Sequence, residues 1–518
     1  EICNFYQKVY TSSQPSDIKE VTEGVRCTVT KEMNAMLTKP VEEREVKIAL
    51  FSMHPDKAPG PDVMSPFFFQ KYWNICKTDI VLAIQSFLYG RLLLKVLNET
   101  IVTLIPKVEA PINLSQYRPI SLCNVIYRVI AKVLANRLKR VIPKCISYAQ
   151  SAFVPGRHIL DNVILAQELI HFLKNKRIGR NGSMTLKLDL SKAYDRVEWQ
   201  FLRRMMMKMG FCPIWVKWIL NCVTTAAYSF NVNGQQVGYV KPQRGIRQGD
   251  PLSPYLFLIC VEGMSSLMHQ SIQNKAITGV QVGKACPQLS HLLFADDSLF
   301  CCKASIQEAE QMKEMFAIYE RASGQAINYE KSAVFFSANT SKEMRSNICV
   351  ALGNMKEAVS GKYLGLPMLI GRSKQQVFGY IKQKVKDKLQ GWKRNLLSPA
   401  GKETLIKSVA MALPTYTMSC FKIPKVLCKN ISRMIADFWW GGRGNERKMH
   451  WISWKKMSQV KGRGGLGFRH LEKFNEALLA KQMWRIITNP NLLVSQVMKA
   501  KYLARPQNWS KDPQNQPR

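Results

Sequence analysis

The stretch "HLLFADDSLFCC", residues 291–302, sets two adjacent acids, Asp296 and Asp297, inside an apolar run. Burying a carboxylate without a partner costs several kcal/mol, so a chain with 75 Lys+Arg and only 36 Asp+Glu needs a reason to place acids there. The flanks "LLFA" and "SLF" read as two short strands, with the acids at the tight turn between them. Successive strand residues face opposite sides of a sheet, so two neighbouring Asp approach one site only where pairing stops. A third acid, Asp189, ends an equally apolar run, "MTLKLDL" (184–190), 107 residues before Asp296. Hard divalent cations take oxygen ligands. Two such ions ~3.5–4 Å apart are the apparatus of nucleotidyl transfer. Against this stands an ordinary Asx-turn or helix cap, the commoner use of an Asp pair in a loop. The apolar strands on both sides and the second acid-ended strand favour the ion site.

Working outward, the formal net charge is +39, with 46% hydrophobic residues and 11 Trp, 22 Phe and 17 Tyr in 518 residues. The chain is therefore folded, and its length suggests about three domains. Its charge points to a polyanionic partner, nucleic acid or an anionic membrane surface. No apolar run is long enough to span a bilayer, so no membrane partner is expected. The opening "EICNFYQKVY" is not a signal peptide and does not begin with Met, which reads as a piece of something longer. The 14 cysteines show no C-x-x-C and no Cys/His ligand spacing. They are expected to be reduced and buried, with no disulfide partner, in the nucleus or cytoplasm and not in a secreted protein.

Between 181 and 370 strands and helices alternate. After "MTLKLDL", the segment "VEWQFLRRMMMKMG" predicts a helix closing on Gly210, and "YSFNVNGQQVGYV" a hairpin turning at Asn233-Gly234. "PLSPYLFLICVEGMSSLMHQSI" predicts a buried helix with Pro251 near its first turn, capped by Asp250. Ser305 to Glu308 form a capping box that opens a helix ending at Gly324. "INYEKSAVFF" is the next strand. This is a split βαβ layout of the α+β class. Residues 371–518 hold 30 Lys+Arg against 7 Asp+Glu, with Trp439, Trp440, Trp451 and Trp454 interleaved among the basic residues. A nucleic-acid-gripping face and a solvated basic face over a Trp-containing core are both open readings there.

"FADD", "KLDLSKAYDRV" (187–197) and "RGIRQGDPLSP" (244–254) resemble motifs C, A and B of reverse transcriptases from LINE-type non-LTR retrotransposons, of the kind abundant in plants. The likeness runs along nearly the whole chain. "DKAPGPD" (56–62) is similar to the family's amino-terminal extension, and "TLIPKVEAPINLSQYRPISLCNVIYRVIAKVLANRLK" to its motif 1 fingers. "QSAFVPGRHILDN" (150–162) resembles motif 2, "GQAINYEKS" (324–332) motif D, and "YLGLPM" (363–368) the strand leading to the thumb. "GGLGFRHLEKFNEALLAKQMWRI" resembles the post-thumb segment of plant elements. Val63 departs from the pattern, standing where the family has Gly after "GPD".

The resemblance implies a right-hand polymerase. Its parts would be an N-terminal segment (1–44), fingers with the extension (45–180), palm (181–370), a basic helical thumb and post-thumb region (371–490), and a tail (491–518). It implies RNA-directed DNA synthesis from the 3′-hydroxyl of a primer, at a nick in target DNA, with RNA template, DNA primer and dNTPs as partners. Asp189, Asp296 and Asp297 would carry two Mg²⁺, or Mn²⁺ in their place, with the carbonyl of Leu190 as a further ligand. Tyr194 falls at the steric gate against a ribose 2′-hydroxyl, where most relatives have Phe. Gln248 and Gly249 would line the nascent base pair. Arg118, Lys107 and Arg157 would bind the triphosphate. Lys331 would protonate the leaving pyrophosphate, and Asn328 would shape its loop. Asp195 is expected to serve as a structural hydrogen-bonding residue. No endonuclease-like constellation precedes residue 45 and no Cys/His knuckle follows 490, so cleavage of target DNA is not expected of this chain. Two rivals remain. A silent nucleic-acid-binding remnant is opposed by the intact acidic set, and an RNA-templated RNA polymerase by the aromatic Tyr194.

Overall fold

The computed structural model describes residues 1–90, 93–371, 373–392, 396–441 and 449–503. Residues 442–448 of the Trp-bearing basic stretch and 504–518 of the expected tail lie outside them. Two compact units emerge: Glu1–His158 with Leu173–Val280 and Gln288–Ala358, and Ile159–Phe172 with Gln281–Pro287 and the chain from Val359 onward. Both mix into one chain of helices and short strands, a mixed α/β architecture.

At the centre of the first unit lies a five-stranded sheet. Its order is Lys356–Glu357, Ala333–Phe336, Ser183–Leu188, Asp297–Lys303, His291–Phe294. The central strand pairs antiparallel with both neighbours, Leu186 facing Phe300 on one side and Val334 on the other. Near-continuous burial along Ser183–Leu188 and Asp297–Lys303 explains why both read as apolar runs. The helices Ser253–Gln273 and Ile306–Ser323 belong to the same core, Phe316 meeting Phe300 edge-on at 5.1 Å. Ser305 caps the second of these, its Oγ accepting from Glu308 N at 3.3 Å, and Gly324 closes it at φ 74°. The Glu308 carboxylate does not complete the box. It accepts instead from Thr278 N and Lys303 N, each at 3.0 Å.

A second sheet has the order Tyr117–Cys123, Glu99–Pro106, Ala227–Val232, Gln235–Val240. Its last two strands form the hairpin expected at Asn233-Gly234, both with positive φ (50° and 85°). The N-terminal helix Ile2–Tyr10 packs on this sheet, Tyr6 stacking on Phe230 at 4.9 Å. The "DKAPGPD" segment lies against the start of the long helix Val125–Cys145. Asp62 N donates to Asn124 Oδ1 at 3.1 Å, and a Cβ on Gly60 would meet Asn124 N at 2.4 Å. Val63 adopts φ 58° in the turn that follows, a conformation unfavourable to a β-branched residue.

The second unit is built around the helices Lys374–Gly391, Lys425–Trp440 and Leu471–Thr488. Buried Asn475 ties it together, accepting from Ile423 N at 2.8 Å and donating to Met418 O and Phe421 O at 2.7 and 2.9 Å. Among the tryptophans, Trp454 stacks on buried Phe468 at 5.2 Å and Trp439 meets it edge-on, whereas Trp451 is 78% exposed. Core and surface tryptophans are thus mixed in one stretch. Among the described residues, no helix is long and apolar enough to cross a membrane.

Candidate active site

His291–Phe294 and Asp297–Lys303 pair as a hairpin, Phe294 facing Asp297. Ala295 and Asp296 are the two turn residues, and Ala295 takes φ 53°, as two-residue hairpin turns require. Asp296 therefore sits exposed at the apex and Asp297 is half-buried at the first paired position. The two short strands with the acids at the tight turn between them are as the sequence predicts: the apolar residues occupy the strands, and the turn lifts the acids out of them.

Asp189 follows directly on the central strand. Leu188 pairs with Ser298, so Asp189 leaves its strand at the level of Asp297. The "INYEKS" loop grips that exit. Asn328 N donates to Asp189 O at 2.8 Å, Asp189 N to Ser332 Oγ at 3.2 Å, and Ser332 Oγ to Asn328 O at 2.7 Å. Leu190 then pairs with Ile327.

The three acids feel one another. Although Asp296 is exposed at the turn apex, the protein crowded around its carboxyl raises it above its ordinary range and the charge of Asp189 adds to this, while its own amide and Arg118 oppose. Asp297 is raised by burial, then by Asp296 and Asp189, against Lys187. None of the three takes part in an ion pair among the described residues. Other crowded acids do: Glu198 pairs with Arg244 at 3.3 Å and Glu45 with Arg137 at 2.8 Å. An all-oxygen set of mutually repelling acids that forms no ion pair among the described residues fits a hard divalent cation. As they stand, no three His, Cys, Asp or Glu among the described residues are close enough together to hold a metal ion, so ion binding would have to draw the acids in.

Tyr194 stacks on Phe257 at 4.8 Å with rings 7° from parallel. Burial and then the Asp296 charge push its phenol up. Gln248 donates from Nε2 to Asp195 at 3.2 Å, and its carbonyl accepts from Ser121 N at 2.8 Å. Burial pushes Asp195 up to about 6, against Lys192 and the Gln248 hydrogen bond. Gly249 has φ 108°, and a Cβ there would lie 3.3 Å from Ser121 O, so only glycine fits without strain. Arg118 is exposed on the Tyr117–Cys123 strand, within electrostatic reach of Asp296. Lys107 is lowered by burial first, with Arg118, Lys331 and the opposing Asp195 and Asp189 also acting on it. These residues form one neighbourhood.

Arg157 is the exception. Its guanidinium donates to the backbone carbonyls of Gln150 at 2.6 Å and Ile146 at 3.1 Å, and to Ser147 O. Its charge also acts on the half-buried Glu262. This engagement fits a clamp on residues 146–150 better than a triphosphate ligand. Asp250 likewise does not cap the helix at Pro251, for the helix starts at Ser253. Asp250 accepts from Leu252 N at 2.9 Å and Tyr127 OH at 2.5 Å, with Arg247 Nε 3.7 Å away. Two supporting residues carried no local signal. Arg247 lies buried, donating to Asn98 at 2.7 Å and Cys222 O at 2.6 Å. Glu198 accepts from Ser12 and Ser13 at 2.8–3.0 Å.

A strand-end acid beside an acid-tipped hairpin, in a mixed sheet closed by helices, defines a nucleotidyltransferase of the polymerase kind. Comparison with known proteins agrees. The model of the reverse transcriptase (RNA-dependent DNA polymerase) family matches residues 105–368, and the chain belongs to that family. It is 27% identical over 470 residues to the transposon TX1 uncharacterized 149 kDa protein of Xenopus laevis, covering 90% of this chain and 34% of that one. It is 48% identical over 93 residues to an uncharacterized mitochondrial protein of Arabidopsis thaliana, 18% of this chain and 60% of that one. It is 27% identical over 231 residues to a retrovirus-related Pol polyprotein from type-1 retrotransposable element R2 of Popillia japonica, 44% of this chain and 31% of that one. The chain spans about a third of the TX1 and R2 relatives.

Proposed function

We propose that this chain is the reverse transcriptase portion of a plant LINE-type retroelement polyprotein. It would copy the element's RNA into DNA from a primer 3′-hydroxyl, with target DNA supplying the primer. The observation that carries this reading is the register of Leu188 with Ser298, which aligns Asp189 with the Ala295–Asp297 turn, in acids that form no ion pair among the described residues.

In this reading residues 45–180 act as fingers, 181–370 as palm and 371–490 as thumb. Asp189, Asp296 and Asp297 hold two Mg²⁺, for which Mn²⁺ can substitute, with the Leu190 carbonyl as a further oxygen. When bound, such a pair supplies activation of the 3′-hydroxyl and neutralisation of the leaving group. The 3′-oxygen bonds to the α-phosphorus of the dNTP, the bond from that phosphorus to the β-phosphate bridge breaks, and the hydroxyl proton leaves to solvent. Arg118 and Lys107 offset the triphosphate charge. Lys331 gives a proton to the departing pyrophosphate. Gln248, oriented by Asp195, and the side-chain-free Gly249 line the base pair. Tyr194, braced by Phe257, excludes a 2′-hydroxyl. The exposed lysines of Lys374–Gly391 and Trp451 grip the duplex backbone in a salt-dependent manner.

The test is primer extension on an RNA template with dNTPs and Mg²⁺, comparing the chain with an Asp296→Ala/Asp297→Ala double variant. Extension by the unmutated chain alone supports the reading. RNA binding without extension by the unmutated chain points to the remnant, and extension that survives the double substitution removes the acids from the chemistry.

A further inference from the structure

We propose that Gln150 is the positioning residue of the acidic turn, holding through its side-chain oxygen the backbone that presents Asp296 and Asp297. The inference rests on the polymerase reading for its consequence, though not for its geometry. Ala295 stands at φ 53°, a left-handed conformation that costs a non-glycine residue about 1–2 kcal/mol. Something must hold it there. Gln150, 1% exposed, receives at Oε1 the amide of Ala295 at 3.1 Å and that of Ala152 at 2.9 Å. The adjoining backbone clips onto the same strand, Leu293 N donating to Ala149 O at 2.8 Å and Ser151 N to Leu293 O at 3.0 Å. A parallel bridge joins Gln150 to Leu293. Arg157 stiffens this clip from behind through the Gln150 carbonyl.

Packing alone does not account for a glutamine. Two N–H groups converging on one atom require an oxygen there. That orientation leaves Nε2 buried with no partner among the described residues, at a cost of about 1–3 kcal/mol. Methionine would fill the same space without that cost. The acceptor is what the site uses, and it acts on Ala295, the residue next to Asp296. Side chains that orient metal-binding groups from behind typically change affinity or activity by about 10–100-fold when removed.

The experiment compares the full chain with Gln150→Met, which removes the acceptor at similar size, and Gln150→Glu, which keeps it. Three readouts are taken: Mn²⁺ binding by electron paramagnetic resonance without substrate, amide exchange across residues 293–298, and the Mg²⁺ dependence of extension. Gln150→Met should weaken Mn²⁺ binding and lower kcat by about 10–100-fold, with faster exchange at Ala295 and unchanged dNTP KM. Gln150→Glu should keep Ala295 protected. If Gln150→Met does not fold, Gln150→Asn withdraws the acceptor by one methylene and should give the same deficit. A folded Gln150→Met or Gln150→Asn with wild-type Mn²⁺ binding and Ala295 exchange overturns the inference, as does loss of protection in Gln150→Glu. An unmutated chain that neither binds Mn²⁺ nor extends a primer overturns the polymerase reading instead, while Ala295 exchange still reports on the clip.

Discussion

Leu188 and Ser298 face each other across the central strand pair, and that register sets Asp189 level with Asp297. A one-residue slip would turn every side chain of the strand to the other face and carry Asp189 away from the turn. The apolar residues on both strands, buried almost throughout, therefore do more than build a core. They fix the position of three acids by fixing a register.

The first prediction follows from that geometry. Asp189→Asn and Asp296→Asn keep shape and remove charge, and each should lower primer extension by about 10²–10³-fold, the usual loss when a charge-stabilising group is removed. Circular dichroism should stay unchanged. Either variant extending at the wild-type rate would take that acid out of the site.

Asp296 and Asp297 should weaken the metal-free fold. Burial and mutual charge raise Asp296 and Asp297 above the ordinary carboxylate range, so the folded chain holds protons there that the unfolded chain has already released. Stability then falls as pH rises from the ordinary range through the raised one, since the unfolded state binds fewer protons across that window. Asp297→Asn should therefore raise the metal-free Tm at a pH of about 7, and the gain should vanish near pH ~4. Mg²⁺ should raise the Tm of the unmutated chain more than that of the variant. Calorimetry across pH checks this; a lower Tm for the variant at neutral pH would contradict it.

Val63 offers a test of strain away from the chemistry. It holds φ 58° and is 79% exposed, so its side chain contributes little burial to offset the backbone cost. Val63→Gly should stabilise by about 1 kcal/mol, the left-handed penalty less the added freedom of the unfolded chain. Urea denaturation measures it, and unchanged or reduced stability would show the turn to be unstrained.

What the sequence made legible were features with a local signature. Asn233-Gly234 turns where such a pair should, Ser305 caps its helix, and "FADDSLF" folds as a hairpin with its acids at the turn. What it hid depends on partners far along the chain. Gln150 reaches Ala295 across 145 residues, and no spacing rule announces a glutamine that accepts from a distant amide. Asp250 has the local marks of a helix cap, yet Tyr127 and Arg247 compete for its oxygens and the helix starts three residues later. Trp454 and Trp451 look alike in sequence. Only the placement of Phe468 under Trp454 separates a core residue from a surface one.

Tyr194 tests sugar discrimination. Its ring lies 4.8 Å from Phe257 and nearly parallel to it, a contact worth about 0.5–1.5 kcal/mol that favours this ring position in the proposed gate. Tyr194→Ala should admit ribonucleotides, while Tyr194→Phe should preserve both the stack and the discrimination. Phe257→Leu should loosen discrimination with Tyr194 in place. Unchanged rNTP exclusion in Tyr194→Ala, measured by competing rNTP and dNTP incorporation, would remove the gate role.

Arg157 separates two readings of one side chain. As a triphosphate ligand it would act on dNTP KM; as a clamp on Ile146, Ser147 and Gln150 it would act on the backbone behind the acidic turn. Its donors meet the carbonyls of Gln150 and Ile146 at 2.6 and 3.1 Å and also that of Ser147, and a lysine cannot reproduce that planar fork. Arg157→Lys should therefore lower stability by about 1–3 kcal/mol, the cost of leaving buried acceptors unmet. Amide exchange should quicken across 146–152 while dNTP KM stays within about twofold, too small a change to represent a lost charge-assisted contact. Arg118→Lys supplies the contrast, raising KM with exchange in that segment unaltered. If Arg157→Lys instead raises KM about tenfold or more and leaves 146–152 protected, the guanidinium belongs to the nucleotide after all, and the carbonyl contacts are its resting position before the substrate arrives.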